Sequence, residues 1–310
     1  MLPLSMKLFG PTAVLSSAMN PSSDHYRRFG GIDRLYGTGT IDRLGKAHVT
    51  VIGIGGVGSW AVEALARSGV GRLTLIDLDH IAESNMNRQI HALETTLGSA
   101  KVQAMRERIA LINPMCEVVC VEEFIDESNV NTLVPTCDAV IDAIDNVRAK
   151  AALIAHCRRA GILIVTTGGA GGRMDPTRTE VADLSRTVQD ALASKVRARL
   201  RKEYGFPRDP KKKFGVECVY SQEQAAQPRS SANRRPASPT GISSGHADSC
   251  STDACEVGKA ALNGAAGLAC AGYGSSVAVT AAFGFAAASR VLSAIVGGEL
   301  GAGAGILQAQ

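Results

Sequence analysis

The chain has 310 residues, 45% of them hydrophobic and 20% charged, with a formal net charge of +4. That balance suits one large α/β domain or two small ones around a buried core, and it excludes a wholly disordered polymer. Aromatic residues make up only 4% while glycine alone counts 33, so close backbone packing and glycine-rich ligand loops are expected.

The first 18 residues are apolar in patches, but Pro3, Lys7, Gly10 and Pro11 interrupt them. No clean apolar run precedes a small-residue cleavage site, as an export signal would require. Residues 1–23 read as a disordered tail or a start-codon overcall. Residues 24–46 are polar with scattered apolar positions and read as a helical entry segment. A β-rich run at 47–52 leads into glycines, and a helix at 59–68 comes next, closed by Gly69 and Gly71. A second strand at 72–76 ends at Asp77, and a helical pattern at 99–112 stops at Asn113-Pro114. A third strand spans 117–121. A fourth spans 138–141 and ends near Asp142 and Asp145, a helix covers 147–160 and a fifth strand 162–166. Strands alternating with helices predict a parallel, doubly wound sheet.

Two stretches break the alternation. Residues 195–213 carry nine Lys or Arg against Glu203 and Asp209. Residues 224–258 are rich in Ser, Ala, Pro and Gly without period, as in a mobile loop or insertion. Beyond them, 260–296 is apolar and rich in Ala and Gly, with no charge from 273 to 288. About sixteen small apolar residues fall short of the roughly 20 that a membrane span needs. A buried helix or strand–helix unit closing the sheet is therefore expected, with membrane association through 273–296 as the alternative. None of the eight cysteines forms a C-x-x-C pair, so a structural zinc site is not signalled. Reduced, mostly buried thiols in a cytoplasmic protein are expected.

Gly53, Gly55 and Gly58 come after a strand and open a helix in the G-x-G-x-x-G spacing, with Gly56 between them. The glycines permit a tight turn and close approach of phosphate, and the helix N-terminus adds N–H groups and a positive dipole. Alone the motif points to NAD or FAD, and Asp77 stands where a ribose-binding carboxylate belongs. The residues beyond Asp77 do not suit a dehydrogenase. Asp77-Leu78-Asp79 leads to Ser84-Asn85-Met86-Asn87-Arg88-Gln89, then Lys101, then Asp145-Asn146. Two cations and a further carboxylate at the carboxyl edge of a sheet suit a triphosphate and its Mg²⁺. The alternatives are a strand-end cap for Asp77, a turn carboxylate for Asp79, solvated helix charges for Arg88 and Lys101, and a turn or helix N-cap for Asp145-Asn146.

In order and spacing these elements resemble the adenylation domain of ubiquitin-activating-type enzymes, a superfamily that includes the bacterial activators of the molybdopterin and thiamine sulfur carriers. The resemblance implies ATP and Mg²⁺ as cofactors, with Asp77 at the ribose, Asn85, Arg88 and Lys101 on the phosphates, and Asp145 on the metal. Arg88, Lys101 and Asp145 would form the catalytic set, with Asp79 and Asn146 beside them. It further implies a homodimer in which Arg34 reaches the partner subunit's site.

Sulfur-carrier activators commonly carry paired C-x-x-C motifs, which are absent here. The second half instead contains Thr-Thr-Gly-Gly-Ala-Gly-Gly-Arg-Met-Asp-Pro at 166–176, Asp-Leu-Ser-Arg-Thr at 183–187 and Lys-Phe-Gly-Val-Glu-Cys-Val-Tyr-Ser at 213–221. Cys-Ala-Gly-Tyr-Gly at 270–274 and Thr-Ala-Ala-Phe-Gly-Phe at 280–285 stand near the end. Together these resemble the dehydratases that act on threonylcarbamoyladenosine in tRNA, over about 24–292 with an interruption at 225–258. Such enzymes adenylate the carboxylate of that nucleoside beside the anticodon, and its carbamoyl nitrogen then closes on the activated carbonyl. The expected fold is a single Rossmann-like, doubly wound, mainly parallel α/β adenylation domain over 24–310 with an Ala/Gly-rich C-terminal extension. A nucleotide-binding half spans 24–172 and a substrate half 173–310. Lys195, Arg197, Arg199, Arg201, Lys211, Lys212 and Lys213 are candidates for tracking tRNA phosphates; the alternative is a solvated helix face. Cys218 and Cys270 are expected to be structural. Cys250 and Cys255 fall in the insertion, where the chain departs from the family, so the resemblance carries no sulfur-relay role to them; a cysteine desulfurase or sulfur-acceptor protein is the further partner it admits. Activation of a Gly-Gly-ended protein and a non-catalytic nucleotide-binding module remain the competing functions.

Overall fold

A computed structural model describes residues 21–226 and 273–298. Most of the expected tail and insertion, and Cys250, Cys255 and Cys270, lie outside the described residues. The polar entry segment divides at 37–39 into two helices, α1 (Pro21–Tyr36) and α2 (Thr40–Lys46). The expected strands form as β1 (His48–Ile52), β2 (Arg72–Ile76), β3 (Glu117–Val121), β4 (Ala139–Asp142) and β5 (Leu163–Thr167). Between them run α3 (Gly58–Arg67), α4 (Lys101–Ile112), the short α5 (Val130–Leu133) and α6 (Val147–Ala160). Beyond β5 come β6 (Thr179–Asp183), α7 (Ala191–Glu203), β7 (Glu217–Ser221) and α8 (Val277–Gly297).

The seven strands lie in the order β3-β2-β1-β4-β5-β7-β6. All neighbours pair in parallel except β6, which runs antiparallel to β7 at the edge. The sheet thus gains two strands over the sequence expectation and remains mainly parallel. The central strands read as continuous apolar runs because helices cover both faces. One face packs α3, α4 and α8 against β1 and β2. The other packs α6 and α7 against β4 and β7.

Helix α8 occupies 277–297 of the Ala/Gly-rich stretch. It is long and apolar enough to cross a membrane, with a mean hydropathy of 1.7. Yet Val279, Phe283, Ala287, Ala288, Val291 and Ile295 are buried in the same core as β1 and α3. Small side chains let it lie close. A Cβ at Gly284 would stand 2.5 Å from the carbonyl oxygen of Val57 and 2.9 Å from Ala61 N, so only glycine fits that crossing with α3. Phe285 adds an edge-to-face contact with Trp60 at 5.7 Å.

Candidate active site

In such sheets, ligands bind outside the carboxyl ends of the strands where the strand order reverses. That point lies here between β1 and β4, and an open cleft of about 1060 Å³ occupies it. Gly53, Gly55, Gly56, Asp77, Asp79, Asn85, Arg88, Lys101, Asp145 and Asn146 all line this cleft. Residues separated by up to 93 positions in sequence thus meet at one site, from Gly53 to Asn146.

Gly58 stands behind the cleft rather than on its wall. A Cβ there would lie 1.8 Å from the carbonyl oxygen of Gly53, so Gly58 lets the first turn of α3 press against the end of β1. At the start of α3, Ser59 N donates to the carbonyl oxygen of Gly55 at 3.1 Å and Ala61 N to that of Val57 at 3.2 Å, so the helix turn is continuous with the glycine loop and its positive dipole end faces the cleft. Asp77, at the end of β2, accepts hydrogen bonds from Ile54 N at 2.6 Å and Asp79 N at 2.8 Å. It therefore shapes the glycine loop as well as lining the cleft. Burial pushes its carboxyl above the usual carboxylate range, against the pull of Lys101 and the two backbone donors.

Lys101 is buried at the start of α4 and donates to Asp79 Oδ2 at 2.6 Å. Arg88 lays its aliphatic stem over Gly56, where a Cβ would lie 3.1 Å from Arg88 Cγ. Its guanidinium donates to the carbonyl oxygen of Ser84 at 2.7 Å and to Asn87 Oδ1 at 2.9 Å. Trp60 Nε1 donates to the carbonyl oxygen of Arg88 at 2.9 Å and ties this segment to α3. Asn85 Oδ1 accepts from Ala82 N at 3.1 Å, a local cap that leaves the side-chain amide in the cleft wall. Asn146 is the N-cap of α6, accepting from Arg148 N and Ala149 N at 2.9 and 3.2 Å. The N-cap reading of that residue is thus correct, and the residue also faces the cleft.

Asp145 makes no hydrogen bond or ion pair with the described residues, while the loop carrying it is fixed from below. Asp142 is fully buried, pairs with Lys150 Nζ at 2.9 Å and accepts from Thr166 Oγ1 at 2.7 Å and Ile144 N at 3.1 Å. The described residues contain no cluster of three or more metal-binding side chains. A single open carboxylate facing a phosphate cradle nonetheless fits Mg²⁺, which is usually held by one or two carboxylates together with substrate phosphates.

Sequence reasoning assigned no role to several wall residues. Gln89 Oε1 is buried in the wall without a donor. Arg173 and Asp190, buried and paired at 3.3 Å, line the far side. Phe124 on the loop after β3 is exposed at the rim. Lys150 had a legible signal, being a lysine on the apolar face of an otherwise Ala-, Leu- and Ile-rich helix.

The remaining candidates lie outside the cleft. Arg34 is exposed on α1. The basic stretch divides into two sets. Arg197 donates to Thr187 Oγ1, Arg199 pairs with Glu127 and Glu203 at 2.8 Å each, and Arg201 donates to Pro207 O and covers the Phe214 ring at 5.2 Å. Lys195, Lys211, Lys212 and Lys213 are exposed, as is Lys202.

The comparisons agree with this geometry. The chain is 46% identical over 276 residues to the tRNA threonylcarbamoyladenosine dehydratase of Haemophilus influenzae, covering 88% of this chain and 95% of that protein. It is 47% identical over 273 residues to the Escherichia coli protein of the same name, covering 87% and 94%. The crystal structure of the E. coli tRNA N6-threonylcarbamoyladenosine dehydratase in complex with ATP superposes with a TM-score of 0.72 at 43% identity, covering 88% of this chain and 96% of that one. The model of the ThiF family matches residues 31–302, and the chain belongs to that family.

Proposed function

We propose that this chain is an ATP-dependent tRNA dehydratase that converts threonylcarbamoyladenosine to its cyclic form through an acyl-adenylate. The observation that carries this reading is a single cleft joining a glycine phosphate loop, Arg88, Lys101 and an open Asp145 carboxylate, on a chain similar over nearly its whole length to enzymes of that activity.

The chemistry suits the residues. A free carboxylate is a poor electrophile because its leaving group would be hydroxide. The substrate carboxylate oxygen attacks the α-phosphorus, the bond to the bridging oxygen breaks, and pyrophosphate leaves. The carbamoyl nitrogen then attacks the activated carbonyl, loses its proton, and AMP departs with the carboxylate oxygen, so the tRNA has lost one water. Lys101 and Arg88 offset the charge on the phosphates and stabilise its shift toward the leaving group. Mg²⁺, held by Asp145 and phosphate oxygens, would supply Lewis-acid stabilisation of pyrophosphate. The ring closure is intramolecular, so positioning supplies much of the rate and no cysteine nucleophile is needed.

The same reading includes a cytoplasmic homodimer, with Arg34 directed to the partner's cleft. Its support is the exposure of Arg34 on α1, away from its own cleft. Lys195, Lys202, Lys211, Lys212 and Lys213 would meet tRNA phosphates, because these lysines of the basic stretch are exposed, as is Arg208. A sulfur-transfer partner finds no support among the described cysteines. Cys157 and Cys218 are buried, and burial raises both thiols far above their ordinary range.

Mass analysis of tRNA nucleosides after incubation with the protein, ATP and Mg²⁺ tests the proposal. Loss of one water from threonylcarbamoyladenosine is expected. An unchanged nucleoside, together with ATP–pyrophosphate exchange driven by a Gly-Gly-ended protein, would move the activity to a sulfur-carrier substrate.

A further inference from the structure

The far wall of the cleft is built around a buried charge that the adenylation chemistry does not use. Arg173 is 3% exposed. Its guanidinium donates to the carbonyl oxygens of Gly169 at 2.7 Å, Ser221 at 3.0 Å and Gln189 at 3.1 Å, and to that of Glu223. It also meets Asp190 Oδ2 at 3.3 Å. These acceptors come from the ends of β5 and β7 and from the turn before α7, so one side chain gathers the segments that form this wall. Asp190 completes the knot. Its Oδ2 accepts from Gly169 N at 2.9 Å and its Oδ1 caps α7 through Ala193 N at 2.8 Å.

Two features show that the wall is held against local preference. Gln189 has φ 55 and, among the described residues, is the one non-glycine residue with positive φ. Gly168 lies so close that a Cβ would stand 2.1 Å from Asp190 Oδ2. Burying a guanidinium and a carboxylate is costly unless every donor and acceptor is engaged. Here they are engaged by carbonyls and amides of residues that border the cleft opposite the phosphate loop.

Resting on the dehydratase reading, we propose that Arg173 and Asp190 are positioning residues. They fix the 168–171 and 189–190 wall so that the carboxylate-bearing nucleoside of tRNA is held in line with the α-phosphate, and they take no part in holding ATP. Asp190→Asn is the sharpest probe. It keeps the volume and the helix cap but places an amide donor where Oδ2 accepts from Gly169 N and Arg173. Gln189→Gly is its companion. It relieves the positive φ and so retains or raises the melting temperature, while loosening the backbone that carries the carbonyl Arg173 holds. Arg173→Lys keeps the charge with fewer donors.

Steady-state turnover of threonylcarbamoyladenosine-containing tRNA and the Kd for ATP would be measured for all three variants. Asp190→Asn and Gln189→Gly are expected to lower kcat/KM for tRNA about tenfold or more, with ATP Kd within about twofold of wild type, and Arg173→Lys to fall between. Parallel loss of ATP affinity and turnover in the folded Gln189→Gly protein would overturn the positioning role, as would variants matching wild type in every constant. A wild-type protein that converts no tRNA would overturn the dehydratase reading and this inference with it.

Discussion

Asp142 and Asp145 occupy one turn at the end of β4 and have opposite surroundings. Asp142 is buried among Lys150, Thr166 and the Ile144 amide, whereas Asp145 opens to the cleft without a partner among the described residues. Their substitutions should separate function from stability. Asp145→Ala is expected to lower ATP-dependent adenylation by about 10²-fold or more with an unchanged melting temperature, because Asp145 has no partner among the described residues and the proposed function sets phosphate and metal beside it. Lys150→Met strands a buried carboxylate and should cost about 3–5 kcal/mol in urea denaturation. His91 adds a pH dependence. It is 2% exposed with neither ring nitrogen bonded, and burial, reinforced by Lys101 and Arg108, pushes it down to about 4 from 6.5. The unfolded chain therefore takes up a proton near pH 6.5 that the folded chain resists until about pH 4. Stability is complete above 6.5, falls as pH drops through that window and levels off below about 4. The loss should reach about 3 kcal/mol and disappear from the His91→Leu protein, as read by denaturation midpoints across pH.

At the level of elements, the basic stretch is two structures in one run of sequence. The arginines of α7 brace the fold: Arg199 ties it to the loop after β3 through Glu127, and Arg201 covers Phe214. The lysines at 211–213 face solvent. Reversing Lys211, Lys212 and Lys213 to Glu should weaken tRNA binding and reduce its salt slope by about two to three, with no change in melting temperature. Arg201→Ala should instead lower the melting temperature and leave the slope nearly intact. Composition could not divide these residues, because the partners Glu127, Thr187 and Phe214 are brought to α7 by the fold. For the same reason β1 to β5 and α6 were legible as buried runs and a clear helical period, while β6 and β7 were not. Those two are bounded by irregular turns rather than by long helices, and β6 lies partly exposed at an edge. The glycine-loop side of the cleft was legible because its residues succeed one another along consecutive strand ends. The Arg173–Asp190 knot was not, since neither residue stands in a spacing that signals the other.

For the whole molecule, the clearest question is whether each cleft is completed by its neighbour. With Arg34 acting in trans, Arg34→Ala and Asp145→Ala proteins would each be inactive alone. Mixed and allowed to exchange subunits, they should regain about a quarter of wild-type turnover, because half of the dimers then hold one intact site. No recovery in a mixture shown to exchange would assign Arg34 to its own fold. Such a mixture is informative because both residues lie in the part of the chain that the family model matches, 31–302.

Helix α8 contributes Thr280 to the cleft wall and presses Gly284 against the carbonyl of Val57. Synthesis runs from the N-terminus, so the ribosome delivers the glycine loop, Lys101 and Asp145 long before this helix exists. A nascent chain halted short of residue 277 therefore carries the glycine loop and α3 without the α8 side chains that pack against them. Under the proposed function, a chain truncated before residue 277 is expected to hold ATP more weakly than the finished polypeptide, as read by its Kd for ATP.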